Sequence, residues 1–256
     1  MDLMKSNNIK KHWNKIGGEF YENSWQRTLA CRILSEKEKK FIGKFLPRFG
    51  VKALDFGIGA GRILNVLLKN TPSDAEIYGL DVSESMVQYC QEKFGKNPKI
   101  KRLKVIKNLD NLNSYYQTKF NFITAIRVLK YNQNWMEILK NLFEILQLNG
   151  IIVFTMSNKY SLSNVPGLRK FCAKVNKTSI GEIKKIVQEN NMEIIEIRGF
   201  DRIPGLYSIN NKLISKILLF WEDILSFIFG NDFLVKEIFY VLKKNSEEKL
   251  CSKIII

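Results

Sequence analysis

Two carboxylates and three glycines carry the chemistry in this chain. Asp55 stands two residues before Gly57, Gly59 and Gly61, and Asp81 follows about twenty residues later in Gly79-Leu80-Asp81. Alternating glycines let a ligand lie against bare backbone, permit φ angles that other residues avoid, and leave the N–H groups of a helix start facing outward. A carboxylate just before such a turn can hold a cationic amino group, and one at the end of the next strand can accept hydrogen bonds from ribose hydroxyls. Arg62 occupies the last position of G-x-G-x-x-G, so the dinucleotide fingerprint is broken.

The flanks say how these groups are positioned. Val51-Lys52-Ala53-Leu54-Asp55-Phe56 reads as a buried strand, and Ile63-Leu64-Asn65-Val66-Leu67-Leu68 as the first turns of a helix. Ile77 to Asp81 is a second strand, after which Ser83 is placed to cap a helix from Glu84 to Phe94. An amine-binding acid, a glycine turn and a ribose-binding acid together suit S-adenosylmethionine better than a nicotinamide dinucleotide.

Leu54-Asp55-Phe56-Gly57-Ile58-Gly59-Ala60-Gly61-Arg62 followed by Gly79-Leu80-Asp81-Val82-Ser83-Glu84-Ser85-Met86 resembles the class I S-adenosylmethionine-dependent methyltransferases, small-molecule type, over most of the chain. The resemblance implies an α/β, Rossmann-like, seven-stranded and mostly parallel sheet with helices on both faces. It gives the methionine end of the cofactor to Asp55, Gly57, Gly59 and Gly61, the ribose to Asp81, and adenine packing to Met86 or Val82. It also places a loop acid near adenine where this chain has Asn108, followed by Leu109 and Asp110, and a cofactor-closing tyrosine where it has Phe20-Tyr21. Met86, Val87, Cys90 and Phe94 equally form a plain core stripe at helical spacing.

Composition is that of a globular protein, 45% hydrophobic and 26% charged in 256 residues. A single domain is expected, with a helical cap over 1–50, a cofactor-binding core over 51–158 and substrate-side elements over 159–256. No run approaches the ~20 apolar residues of a spanning helix, and the start lacks a secretory core, so a cytoplasmic protein is expected. Cys31, Cys90, Cys172 and Cys251 are far apart with His12 the only histidine, which points to reduced thiols and no metal. The net charge of +16 invites a nucleic-acid partner, but the lysines are scattered, and Lys99 to Lys107 alternates like a protected strand edge.

Ile9 to Trp25 reads as a helix interrupted at Gly17-Gly18, and Thr28 to Phe45 as another. Strand three is expected over Lys101–Ile106 and strand four over Phe120–Ile126, with Arg127 and Tyr131 leaving its C-terminal end, where α/β sheets place chemistry. Tyr131, Arg127 and His12 are the candidate catalytic groups. The family often has an acid at Asn121 and a histidine at Tyr131. Neither an Asn-Pro-Pro-Tyr-like motif nor a Pro-Cys nucleophile appears, which favours a small-molecule acceptor over a nucleic-acid base. Ile151–Met156 reads as strand five, Ser179 and Glu182 as a capping box, Met192–Arg198 as strand six, and Ile238–Leu242 as an antiparallel last strand. Between the last two, Phe200 to Leu234 carries a wide apolar stripe that suits a lid over the substrate, a homodimer contact or an interfacial helix, the lid being favoured.

The expected activity is methyl transfer to a hydroxyl or amine of a small metabolite such as a natural product, sugar or lipid-like acceptor. An RNA or protein methyltransferase, or a cofactor-binding protein without activity, is the alternative.

Overall fold

In the computed structural model, residues 6–106, 119–165, 175–230 and 232–246 are described. Asn108, Leu109, Asp110, Cys172 and Cys251 lie outside them. Three helices lead: α1 (Ser6–Ile16), α2 (Gly18–Ser24) and α3 (Leu29–Gly43). Strand and helix then alternate through β1 (Lys52–Phe56), α4 (Arg62–Asn70), β2 (Glu76–Asp81), α5 (Glu84–Phe94), β3 (Ile100–Val105), β4 (Phe120–Ala125), α6 (Trp135–Glu144) and β5 (Leu146–Asn158). The chain finishes with β6 (Lys177–Thr178), α7 (Ile180–Glu189), β7 (Met192–Phe200), α8 (Lys212–Phe229) and β8 (Glu237–Lys244).

The sheet order is β3-β2-β1-β4-β5-β8-β7, parallel except where β8 runs against both β5 and β7. The seven expected strands are all present. An eighth, the two-residue β6, adds to the far end of β5. Period-two alternation sends Ala53, Phe122, Val153 and Phe239 into one core with α3 and α4, and Leu54, Ile123, Phe154 and Tyr240 into the other with α6 and α7. Both faces are therefore covered, as a parallel sheet requires.

Local signals place the element ends. Gly17, at φ 73°, breaks the leading helix, Thr28 caps α3, and Ser179 with Glu182 forms the capping box of α7. Asn121 has a role the sequence did not disclose. Its side chain accepts from the Lys52 N–H at 2.9 Å and donates to the Gly50 carbonyl at 2.6 Å, pinning the start of β1 to β4 at the end of the sheet opposite the glycine turn.

Candidate active site

The glycine turn is tied down by β2. The N–H groups of Gly57 and Ile58 both donate to the Leu80 carbonyl, at 2.7 and 3.0 Å. Gly57 has φ 78°, and a Cβ there would lie 2.1 Å from Cγ2 of Val128, so any side chain strains the turn and displaces Val128. Gly59 is packed under Tyr21, where a Cβ would meet the ring at 3.1 Å. Asp81 completes the cradle, since its two oxygens accept from the N–H groups of Gly59 and Ser83, each at 2.9 Å. Burial pushes this carboxyl above the usual range, against the pull of those donors. Ser83 caps α5 through Met86, as expected.

Asp55 lies behind the turn and does not line the cleft. One of its oxygens accepts from the Thr124 hydroxyl at 2.8 Å, and the other, Oδ2, is buried without a hydrogen-bond partner. Burial, aided by the Asp81 charge against the Thr124 donor, pushes Asp55 from 3.8 up to about 7. A buried acid with one oxygen lacking a hydrogen-bond partner, set just behind the glycine turn, is chemically suited to balance a cationic group held by that turn.

The cleft above the turn encloses about 800 Å3 of empty space, open solvent at its mouth included. Of the residues singled out from sequence, Gly57, Gly59, Asp81, Val82, Met86, Tyr21, Arg127 and Tyr131 line it. Gly61 does not; it is the left-handed N-cap of α4 and borders a neighbouring hollow. Nor does His12, which is exposed on α1 with its ring edge-on to Trp13 at 5.1 Å.

Trp13 lines the cleft too and was not singled out for the site. Its ring meets Tyr21 at 5.3 Å and Tyr131 at 5.6 Å, so three aromatic side chains from α1, α2 and the β4–α6 link roof the cavity. The bend at Gly17 lets both short helices reach it. They are latched to α5 by Lys10–Glu84 at 2.7 Å, by Asn14, which accepts from the Ser83 hydroxyl at 2.7 Å, and by Glu22 with Lys93 and Tyr89. Burial raises the Tyr21 phenol above its ordinary value, so it is neutral at physiological pH.

Arg127 leaves β4 in the left-handed region, φ 59°, its N–H donating to Thr155 Oγ1 at 2.7 Å. Its guanidinium grips Glu38 of α3 with both terminal nitrogens, Nη1 to Oε2 at 2.8 Å, and Arg62 Nη1 reaches the same Oε2 at 2.8 Å. The two guanidinium carbons sit 4.2 and 4.7 Å from the Trp25 ring centre. Burial would raise the Glu38 carboxyl, but the two arginines outweigh it and hold the group below its usual range. Glu38 in turn raises Arg127 against the burial that opposes its charge, so Arg127 is a fixed cation and does not serve as a proton acceptor. Two guanidiniums share the one Glu38 carboxylate, and both arginines line the cleft together with the Asp81 carboxyl, while Glu237 also acts on Arg127.

Among the described residues, none from 200–234, expected to wall the acceptor, lines this cleft. Helix α8 packs on α3 instead, anchored by Lys37–Asp223 at 2.5 Å and by Arg202, whose N–H donates to Glu222 at 3.0 Å. Among the described residues no group of three or more His, Cys, Asp or Glu gathers as a metal site, and no helix is long and apolar enough to cross a membrane.

Comparison with known proteins agrees with this arrangement. A family model described as a methyltransferase domain matches residues 48–199. The chain is 23% identical over 197 residues to malonyl-[acyl-carrier protein] O-methyltransferase 1 of Ilyobacter polytropus, covering 74% of this chain and 69% of that protein. In fold it is similar to the [4+2]-cyclase SpnF, with TM-score 0.64, 12% identity, and 96% and 98% of the two chains covered. It is also similar to magnesium protoporphyrin IX methyltransferase of Synechocystis PCC 6803 with bound SAH, with TM-score 0.60, 12% identity, and 94% and 99% covered. With the cradle, the paired acids and the strand order in place, the chain belongs to the methyltransferase domain family and is a class I S-adenosylmethionine-dependent methyltransferase.

Proposed function

We propose that the enzyme methylates a hydroxyl or amine of a small, partly apolar metabolite. The observation that carries this reading is the aromatic roof of Trp13, Tyr21 and Tyr131, which limits the acceptor to what fits beneath it. The bound cofactor supplies an electrophilic methyl group. The chain's own part is to orient the two reactants and to exclude water from them, which an aromatic-roofed cleft favours. Asp81 accepts from the ribose on lone pairs left over from Gly59 and Ser83, Val82 and Met86 pack on adenine, and Asp55 balances the amino group. Asn108 and Leu109 are proposed for the adenine edge. Tyr131 is proposed to face the acceptor, with Arg127 as a fixed cation. His12 has no part in this arrangement. Residues 1–50 act as the cap of a single domain.

A second reading, a carboxylate acceptor, is favoured by the Arg62 and Arg127 guanidiniums, which both line the cleft. A carboxylate needs no base, and the similar Ilyobacter protein is named as an O-methyltransferase of malonyl-[acyl-carrier protein]. The likeness to a [4+2]-cyclase keeps in view that this fold serves other chemistry. Methyl-labelled S-adenosylmethionine offered with panels of small alcohols, amines and carboxylic acids tests the proposal. Label on an alcohol or amine supports the first reading, label on acids alone the second. Transfer only to RNA or protein, or to nothing despite cofactor binding, defeats both.

A further inference from the structure

Helix α8 turns Ser215, Glu222 and Ser226 toward the protein and leaves most of its large apolar residues facing outward. Its buried positions are Ser215, Leu219 and Glu222. Arg202, itself buried, donates from its backbone to Glu222 Oε1 at 3.0 Å and from its guanidinium to Ser226 Oγ at 2.6 Å, while the Ser215 hydroxyl donates to the Ile209 carbonyl at 3.2 Å. These bonds fix the rotation of the helix about its axis. On the opposite side Leu213, Ile217, Phe220, Trp221, Phe227 and Ile228 are 49 to 91% exposed. At ~100° per residue they fill an unbroken arc of about 120° along a helix roughly 27 Å long. Lys212 and Lys216 run along one flank of the arc, and Asp223 on that flank is already paired with Lys37.

We propose that this face docks on an anionic lipid surface, with α8 lying in the interfacial plane, its apolar arc at the acyl boundary and Lys212 and Lys216 at the level of the phosphates. Charge selects this occupant. The chain carries a net +16, so a second copy seated on the same face would oppose like charge to like, whereas an anionic bilayer complements both the whole chain and the lysine flank. An apolar face rich in Phe and Trp, on a helix that does not meet the requirements for crossing a membrane, is the composition that settles at an interface. The inference is independent of which acceptor is methylated.

Co-sedimentation of the full chain with vesicles of phosphatidylcholine alone, and of phosphatidylcholine mixed with phosphatidylglycerol, tests it. The chain should pellet with the phosphatidylglycerol vesicles and progressively less as salt rises. Phe220→Ser with Phe227→Ser leaves the charge unchanged and should weaken vesicle partitioning at least about tenfold, with S-adenosylmethionine affinity by calorimetry at the parent level to show that the fold persists. Lys212→Ser with Lys216→Ser should reduce the preference for anionic over neutral vesicles. Three results overturn the proposal: no pelleting with phosphatidylglycerol vesicles at low salt, undiminished pelleting of the double Phe variant, or a sedimentation-velocity dimer of the parent that the double Phe variant converts to monomer.

Discussion

The carboxylate of Glu38, wholly buried on α3, receives both terminal nitrogens of Arg127 and so joins a helix that precedes the sheet to the C-terminal end of β4. Arg127 lines the cleft, and its hold on Glu38, behind the lining, ties the leading helices to the C-terminal edge of the sheet. Breaking it tests both roles.

Glu38→Gln leaves two guanidiniums without a counter-charge, and removing one partner of a buried pair costs about 3–5 kcal/mol. Urea unfolding should report a loss of that order at neutral pH. The sign with pH follows from the direction of the shift: the folded Glu38 carboxyl is held below its unfolded value. The pair's contribution is therefore complete above the ordinary carboxylate range and is lost as pH falls through the folded value. The gap between parent and variant should narrow in acid.

Asp55 behaves in the opposite sense. Raised from 3.8 to about 7, it keeps its proton in the folded state where the unfolded chain has lost it, so its contribution to stability falls as pH rises across that window. Asp55→Asn should flatten this dependence. A cation held near Oδ2 favours the ionised form, so cofactor binding should release a proton below about pH 7, with affinity climbing as pH approaches that value. Calorimetry in buffers of different ionisation enthalpy measures the proton. An affinity that ignores pH in the parent enzyme would separate Asp55 from the cofactor.

Asp81→Asn replaces one of two acceptors with a donor, which then faces the N–H of Gly59 or Ser83. Hydrogen bonds to a charged group contribute about 1.5–3 kcal/mol, equivalent to roughly tenfold to 150-fold in Kd. Titration with S-adenosylmethionine should show a loss in that range. An unchanged Kd would mean that the ribose is held elsewhere.

Gly57→Ala places a Cβ 2.1 Å from Val128 at a φ of 78°, where a strained backbone costs on the order of 1–3 kcal/mol before the clash is relieved. Circular dichroism should keep its folded signature while cofactor binding is lost. Tight binding by this variant would show that the turn is not the cradle.

Much of this was legible in the sequence because the signals are local. A period-two apolar run fixes which side chains point to which core, a glycine turn needs only its own φ angles, and Ser179 finds Glu182 three residues away. The acids at Asp55 and Asp81 follow, since each lies at or next to the C-terminal end of its strand. Pairings across the chain were decided by the tertiary structure alone. Arg127 and Glu38 are 89 residues apart, and nothing near either names the other. Asn121 departs from the family pattern, and only the fold shows its amide clamping Gly50 and Lys52. For α8 the sequence determined that one face is apolar, which a helical period always reveals. Which way that face turns depends on Arg202 reaching Glu222 and Ser226, and those bonds put the polar side in and the apolar side out, away from the cleft it was expected to wall.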